Sequence, residues 1–201
     1  TTRGMKEPEM VTGQAAAYFR NEFTPQKTIK NAQAYICGLG YYEWYINGKK
    51  VGDHVLDPAP SNYDKQAYYV NYDVTKELKS GKNAIGIVLG NGFYGQDICW
   101  RRNFESERNY SYGPPSVRLL IKVTYDDGSQ TNFYTDESWK ESTGPIVFNN
   151  VYGGDTYDAR YEIPNWNTKN FNDAQWGYVK VVSPEVNKIS AQQFPPIRKL
   201  K

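Results

Sequence analysis

Histidine and cysteine are the scarcest reactive residues in this sequence: His54 stands alone, and Cys37 and Cys99 are the only thiols among 201 residues. A lone imidazole removes most nucleophile–base pairs and histidine-ligated metal centres at once, so a locally hydrogen-bonded or exposed ring is the simpler expectation. Two cysteines do not make a disulfide framework, and their spacing does not pair them. Two buried free thiols are expected from the general burial of cysteine. No stretch approaches the ~20 apolar residues of a membrane span, and the opening TTRGMKEPEM lacks a secretory leader's apolar core. A soluble protein is expected, either within the cell or with a leader removed, periplasmic or secreted in preference to cytoplasmic.

Net charge is missing too. Lys and Arg number 24 against 22 Asp and Glu, leaving +2, so no overall field draws in nucleic acid or an anionic membrane, and neither is expected as a partner. What the chain has in quantity is aromatic surface, 15% of residues, with 18 Tyr and 5 Trp. These side chains join an apolar ring to a polar handle, which suits a wet β-sandwich surface and carbohydrate stacking equally well.

The segment GYYEWYINGKKVGDHVLDPAPSNYDK, Gly40 to Lys65, spells out a β-hairpin. Tyr42, Trp44 and Ile46 alternate with Tyr41, Glu43 and Tyr45, the period of a strand with two different faces. Asn47-Gly48 then supplies the positive-φ residues of a tight turn, and Lys49, Lys50 and Val51 begin the return strand. Phe19 to Phe23 and Lys27 to Gly38 read as opening strands separated by Pro25. Gln66 to Val74 alternates and runs into TKELKSGKN, where Asp73 or Thr75 caps one short helical turn that Gly81 ends. Asn83 to Gly90 is an apolar core strand, and Ser116 to Asp136 is a second hairpin turning at Asp127-Gly128. Further short strands are expected in IVFNNVYGGDTYDARYE and WGYVKVV. Asn91 to Pro115 lacks regular alternation and reads as a long loop, of the kind that is usually functional or mobile. LGNGFYG has neither the GxGxxG spacing nor the helix of a dinucleotide site, and reads as a tight turn displaying Phe93 and Tyr94. Many short strands, closely spaced turns and almost no helix indicate an all-β, jelly-roll-like β-sandwich.

Taken in order, four blocks carry a family resemblance: the hairpin just quoted, YDVTKELKSGKNAIGIVLGNGFY (Tyr72 to Tyr94), GGDTYDAR (Gly153 to Arg160) and NWNTKNFNDAQWGYV (Asn165 to Val179). With them the chain resembles the N-terminal domain of bacterial α-L-rhamnosidases from about Phe19 to Pro196. The resemblance implies a non-catalytic, galactose-binding-domain-like module of a large glycoside hydrolase whose acid and base sit in an (α/α) barrel outside this chain. It divides the sequence into a leader or linker (1–17), a β-sandwich accessory domain (18–182) and a linker toward a downstream domain (183–201). Terminal α-L-rhamnose and the downstream domains of the parent enzyme are the implied partners.

The resemblance also implies a sugar site with calcium in some members, built from the loop after the hairpin and the loop before the Pro114-Pro115 pair. The metal positions it points to are Asn62, Asn109 and Pro114. Calcium-dependent members carry an acidic residue where Ser61 stands here, which counts against the ion, and no other cofactor is expected. From residue chemistry, Asn62, Tyr63 and Asp64 with Trp100, Arg101 and Arg102 supply the mixture of ring, amide, acid and guanidinium that a sugar needs. The alternatives are that Tyr63 and Asp64 only fix their loop, that Trp100 packs on a neighbouring domain, or that the Tyr-rich surface is a protein-docking or adhesion face.

A glycosidase needs two carboxylates about 5 to 9.5 Å apart in a cleft. Asp155, Asp158 and Glu162 cluster in sequence, but Asp158 and Arg160 would share one face of a strand, where an ion pair holding a loop is the preferred reading over catalysis.

Overall fold

The structure, a computed structural model, describes residues 14–95, 112–183 and 186–200. Alternating side chains build strands throughout. The first half contributes β1 (Ala17–Phe23), β2 (Ile29–Leu39), β3 (Tyr41–Ile46), β4 (Lys49–Lys50), β5 (His54–Val55), β6 (Ala67–Asp73) and β7 (Asn83–Gly90). The second half adds β8 (Ser116–Tyr125), β9 (Gln130–Tyr134), β10 (Lys140–Thr143), β11 (Ile146–Asn150) and β12 (Gly154–Tyr157). The short β13 (Gly177–Tyr178), β14 (Ile189–Ala191) and β15 (Ile197–Arg198) complete the set.

Two main sheets face each other, in the orders β13-β10-β1-β7-β3-β4 and β14-β6-β2-β8-β9. The chain crosses between them repeatedly, from β1 to β2 to β3 and again from β6 to β7 to β8, which gives the jelly-roll-like sandwich. Between the sheets lie Ala32, Ala34 and Ile36 of β2, Trp44 and Ile46 of β3, Ile85, Ile87 and Leu89 of β7, and Leu119, Ile121 and Val123 of β8. Every second residue of each strand is thus withdrawn from water, contributing roughly 1.5–3 kcal/mol for each large apolar side chain.

Both hairpins form at the expected turns. Asn47 and Gly48 have φ of 51° and 82°, the pair of positive values a two-residue turn matched to strand twist requires. The Asn47 amide accepts from Ala84 N–H at 3.0 Å and donates to Asn83 Oδ1 at 2.9 Å, tying the turn to the start of β7. The helical turn expected near residue 75 is a single one, with Leu78 N–H donating to the Val74 carbonyl at 3.2 Å and the Asp73 carboxylate accepting from Thr75 N–H at 3.0 Å.

Within the segment expected to be a linker, residues 189–191 and 197–198 pair with strands of the domain. β14 pairs in parallel with β6 (Ile189↔Ala67), and β15 pairs antiparallel with β5 (Arg198↔His54).

The six-stranded sheet is covered on its outer face as well. Residues between 158 and 178 fold over it, packing Trp166, Phe171 and Trp176 against Tyr18 and Val88. Gly86 makes room for this cover, since a Cβ there would lie 2.6 Å from Trp166 Cζ3. Arg20 fastens it. The Arg20 side chain is 2% exposed and binds the Asp173 carboxylate. It also donates to the Trp166 carbonyl at 2.9 Å, to Glu22 at 2.6 Å and to the Thr168 carbonyl at 3.2 Å. Burial alone would raise the Glu22 carboxyl; hydrogen bonds from Arg20, Lys82 and the Asn170 N–H outweigh it and hold the group below its ordinary value.

A carboxyl depressed in the folded state adds stability that is present above its unfolded pKa, near 4.3, and is lost as pH falls through the folded value. Glu22→Gln is expected to lower the urea midpoint at neutral pH and to flatten its decline below about pH 4.3. Arg20→Met, which strands two acids under the cover, is expected to cost about 3 kcal/mol at neutral pH in the same urea titrations.

Candidate functional site

The loop after the hairpin is shaped by a buried carboxylate. Asp57, 3% exposed, accepts the Tyr72 hydroxyl at 2.8 Å and lies 2.6 Å from His54 Nδ1. Its carbonyl accepts from Tyr42 N–H at 3.0 Å, which ties the loop to β3. The one histidine is therefore a locally bonded ring. Further along, the Asn62 carbonyl accepts from both Lys65 and Gln66 N–H at 2.9 Å, and the Ser61 hydroxyl donates to the Gln66 carbonyl at 2.6 Å. This tight turn leaves Asn62 and Asp64 exposed and points Tyr63 inward.

Tyr63 is 3% exposed. Its ring stands edge-on to Tyr94 and to Tyr112, with 5.1 Å between centroids in each case, and Tyr94 stacks on Tyr112 at 5.8 Å. Burial, then the neighbouring Tyr41 phenol, pushes the Tyr63 phenol up. Cys37 is a buried free thiol in the same cluster, pushed up to about 11 by burial; Cys99 lies outside the described residues. The outer end of the aromatic column is Tyr112, 46% exposed. A cavity of about 1110 Å³ opens beside it, lined by Tyr63, Asp64, Tyr112, Pro114, Arg118 and Val186 among others.

The structure thus brings Tyr63, Asp64 and Pro114 to one cavity, with Asn62 on the adjoining turn. Trp100, Arg101, Arg102 and Asn109 lie outside the described residues. Two readings of the sequence change. Tyr94, expected on display in its turn, is buried under Tyr63, because a tight turn that closes onto a second loop hides one of its two rings. Tyr112, which the sequence reading passed over, is the exposed ring of the site; its place beside Gly113 and the Pro-Pro pair was the available signal.

Calcium takes six to eight oxygen ligands. Among the described residues no three His, Cys, Asp or Glu side chains gather into a metal set. At this loop Asp57 is engaged by Tyr72 and His54 and Ser61 by Gln66.

Of the other carboxylate cluster, Asp155 lies on β12, whereas Asp158 and Glu162 flank a turn. Asp158 caps a 3₁₀ turn (Ala159–Tyr161), accepting from Arg160 N–H at 3.0 Å and from Arg160 Nε at 2.9 Å. The expected ion pair forms, but through the turn's geometry instead of a shared strand face. It holds Asp158 below the usual carboxylate range, opposite to the shift a general acid needs. Glu162 accepts the Tyr157 hydroxyl at 2.7 Å.

With this geometry in place, comparisons with known proteins agree on one family. The sequence profile of the α-L-rhamnosidase N-terminal domain matches residues 27–201. An α-L-rhamnosidase of Formosa agariphila is 62% identical over 99% of the chain, which spans 21% of that enzyme. The solved α-L-rhamnosidase of Dictyoglumus thermophilum superposes with a TM-score of 0.83 at 42% identity, over 93% of this chain and 20% of that one. The Streptomyces avermitilis α-L-rhamnosidase, solved as a complex with L-rhamnose, gives 0.85 at 32% identity, over 94% of this chain and 18% of that one. The chain therefore spans about a fifth of the length of the relatives it matches.

The two tyrosines of the column are expected to separate on mutation. Tyr63→Ala removes a buried ring and is expected to cost about 3–5 kcal/mol, whereas Tyr112→Ala, at a half-exposed position, is expected to cost less than about 1 kcal/mol. Chemical denaturation of both variants checks this.

Proposed function

The chain belongs to the α-L-rhamnosidase N-terminal domain family, and on that premise we propose that it is a non-catalytic module of an α-L-rhamnosidase-type glycoside hydrolase, serving carbohydrate recognition beside the catalytic barrel. The observation that carries this reading is Tyr112: a half-exposed ring held rigid by a buried partner, next to Asp64 and Arg118 at the mouth of a cavity. An apolar sugar face stacks on such a ring while its hydroxyls bond to the charged groups around it. Terminal α-L-rhamnose, whose methyl group enlarges its apolar face, is the ligand proposed, with Asn62, Asp64 and Arg118 as hydrogen-bonding partners and Tyr63 as support.

A second reading, bracing the parent enzyme, is favoured by apolar side chains on the rim of the same cavity. Tyr134, Val181, Val182 and Ile189 are 57%, 65%, 52% and 45% exposed. In that reading the rim meets other domains of the parent. A secreted or periplasmic setting is proposed with either role. No helix among the described residues is long and apolar enough to cross a membrane.

Calorimetric titration of this chain with L-rhamnose, once with calcium and once with chelator, separates the readings. Saturable heat in both, abolished in Tyr112→Ala, is expected. Heat lost with chelator would bring calcium into the site, with Asn62, Asn109 and Pro114 as the positions to substitute. No heat in either would leave bracing as the function.

A further inference from the structure

A second concavity, of about 1220 Å³, lies on the outer face of the six-stranded sheet and shares no lining residue with the first. It is larger than the roughly 300–1000 Å³ of a pocket for one small molecule.

Its floor is β3. Tyr41, Glu43 and Tyr45 alternate with the core residues of that strand, so they face the cleft in a row of ring, carboxylate and ring about 13 Å long. Both rings are held in place, Tyr41 edge-on to Phe93 at 6.2 Å and Tyr45 edge-on to Trp166 at 5.8 Å. The Tyr45 hydroxyl donates to Glu43 Oε2 at 3.0 Å, which orients the acid between them. The facing wall repeats the motif with Tyr157, 57% exposed, donating to Glu162.

Charge narrows the occupant. The lining holds three carboxylates, Glu43, Asp155 and Glu162, of which Glu43 is ion-paired with Lys50; no lysine or arginine lies among the lining residues themselves to offset Asp155 and Glu162. Uronates and sulfated sugars are repelled there, while hydroxyl donors find acceptors. Rigid rings spaced along an extended floor, with acceptors between them, match the alternating apolar faces and hydroxyls of a sugar chain. Glu43 and Glu162 each accept a tyrosine hydroxyl, and the second oxygen of Glu43 is taken by Lys50, so a cationic peptide finds less free negative charge here than the three acids suggest.

We propose that this cleft is a separate glycan subsite that takes a neutral oligosaccharide lengthwise along β3, with sugar rings stacked on Tyr41 and Tyr45 and hydroxyls bonded to Glu43 and Glu162. The subsite is independent of the loop cavity, and it gives the module a grip on the body of a glycan in addition to its end.

Titration of the chain, followed by calorimetry, with rhamnotetraose, cellotetraose, tetragalacturonate and tetralysine tests this. Tyr157→Ala and Glu162→Gln alter exposed wall residues and are checked for an unchanged melting temperature; Tyr112→Ala marks the loop cavity. Expected is saturable binding of a neutral tetrasaccharide that survives Tyr112→Ala and weakens about tenfold or more in Tyr157→Ala and Glu162→Gln. Tetragalacturonate is expected to bind about tenfold more weakly than the neutral chains and to gain affinity in Glu162→Lys. Binding that vanishes with Tyr112→Ala alone would place the sugar wholly in the loop cavity and overturn the proposal. So would tighter binding of tetralysine than of sugar, or no binding of any neutral chain.

Discussion

The buried guanidinium of Arg20 is the interaction on which the outer half of this structure depends. A sheet strand that places a charge where it loses its water must return the lost hydrogen bonds, and Arg20 does so with two carboxylates and two backbone carbonyls, three of the four drawn from residues 166–173. Those contacts fix a segment that would otherwise be an irregular loop. Gly86 supplies the matching vacancy into which Trp166 settles. Cover, cleft wall and sheet are therefore one unit, and the geometry around Tyr45 and Trp166 follows from an ion cluster on β1, on the far side of β7 from Tyr45.

β3 connects the two faces of the domain. Its even-numbered residues, Tyr42, Trp44 and Ile46, close the core, while Tyr41, Glu43 and Tyr45 floor the outer cleft. The Asn47-Gly48 turn fixes this register, because a slip of one residue would exchange the two sets. The loop cavity is positioned from the same strand by a different route, through the bond between Tyr42 N–H and the Asp57 carbonyl and the knot of Asp57, Tyr72 and His54. The two concavities thus share one rigid element.

Much of this was legible in the sequence. Alternation from Tyr41 to Ile46, the apolar run from Asn83 to Gly90 and the two turn dipeptides each state a local rule that tertiary packing only confirms, and the four family blocks ordered them. What could not be read depends on distant partners. Arg20 looks like a solvated charge in an exposed strand until Asp173 is brought beside it. Tyr63 and Tyr112 are both loop tyrosines in sequence, and only their shared column decides that one supports and the other faces outward. β13, β14 and β15 hold two or three residues each, too few for any period to show.

The long reach of Arg20 also bears on the order of events at the ribosome. Its partner Asp173 lies 153 residues further along the chain, and at roughly 5–20 residues per second the interval between their syntheses is about 8–30 s. β1 is made first, yet both its ladder partners, β7 and β10, and its cover come later. For most of translation its charged outer face is open to water and its inner face to other chains. An arginine in the middle of an otherwise apolar-flanked strand keeps that waiting segment soluble, so the side chain that locks the finished sandwich also guards it while it is unfinished.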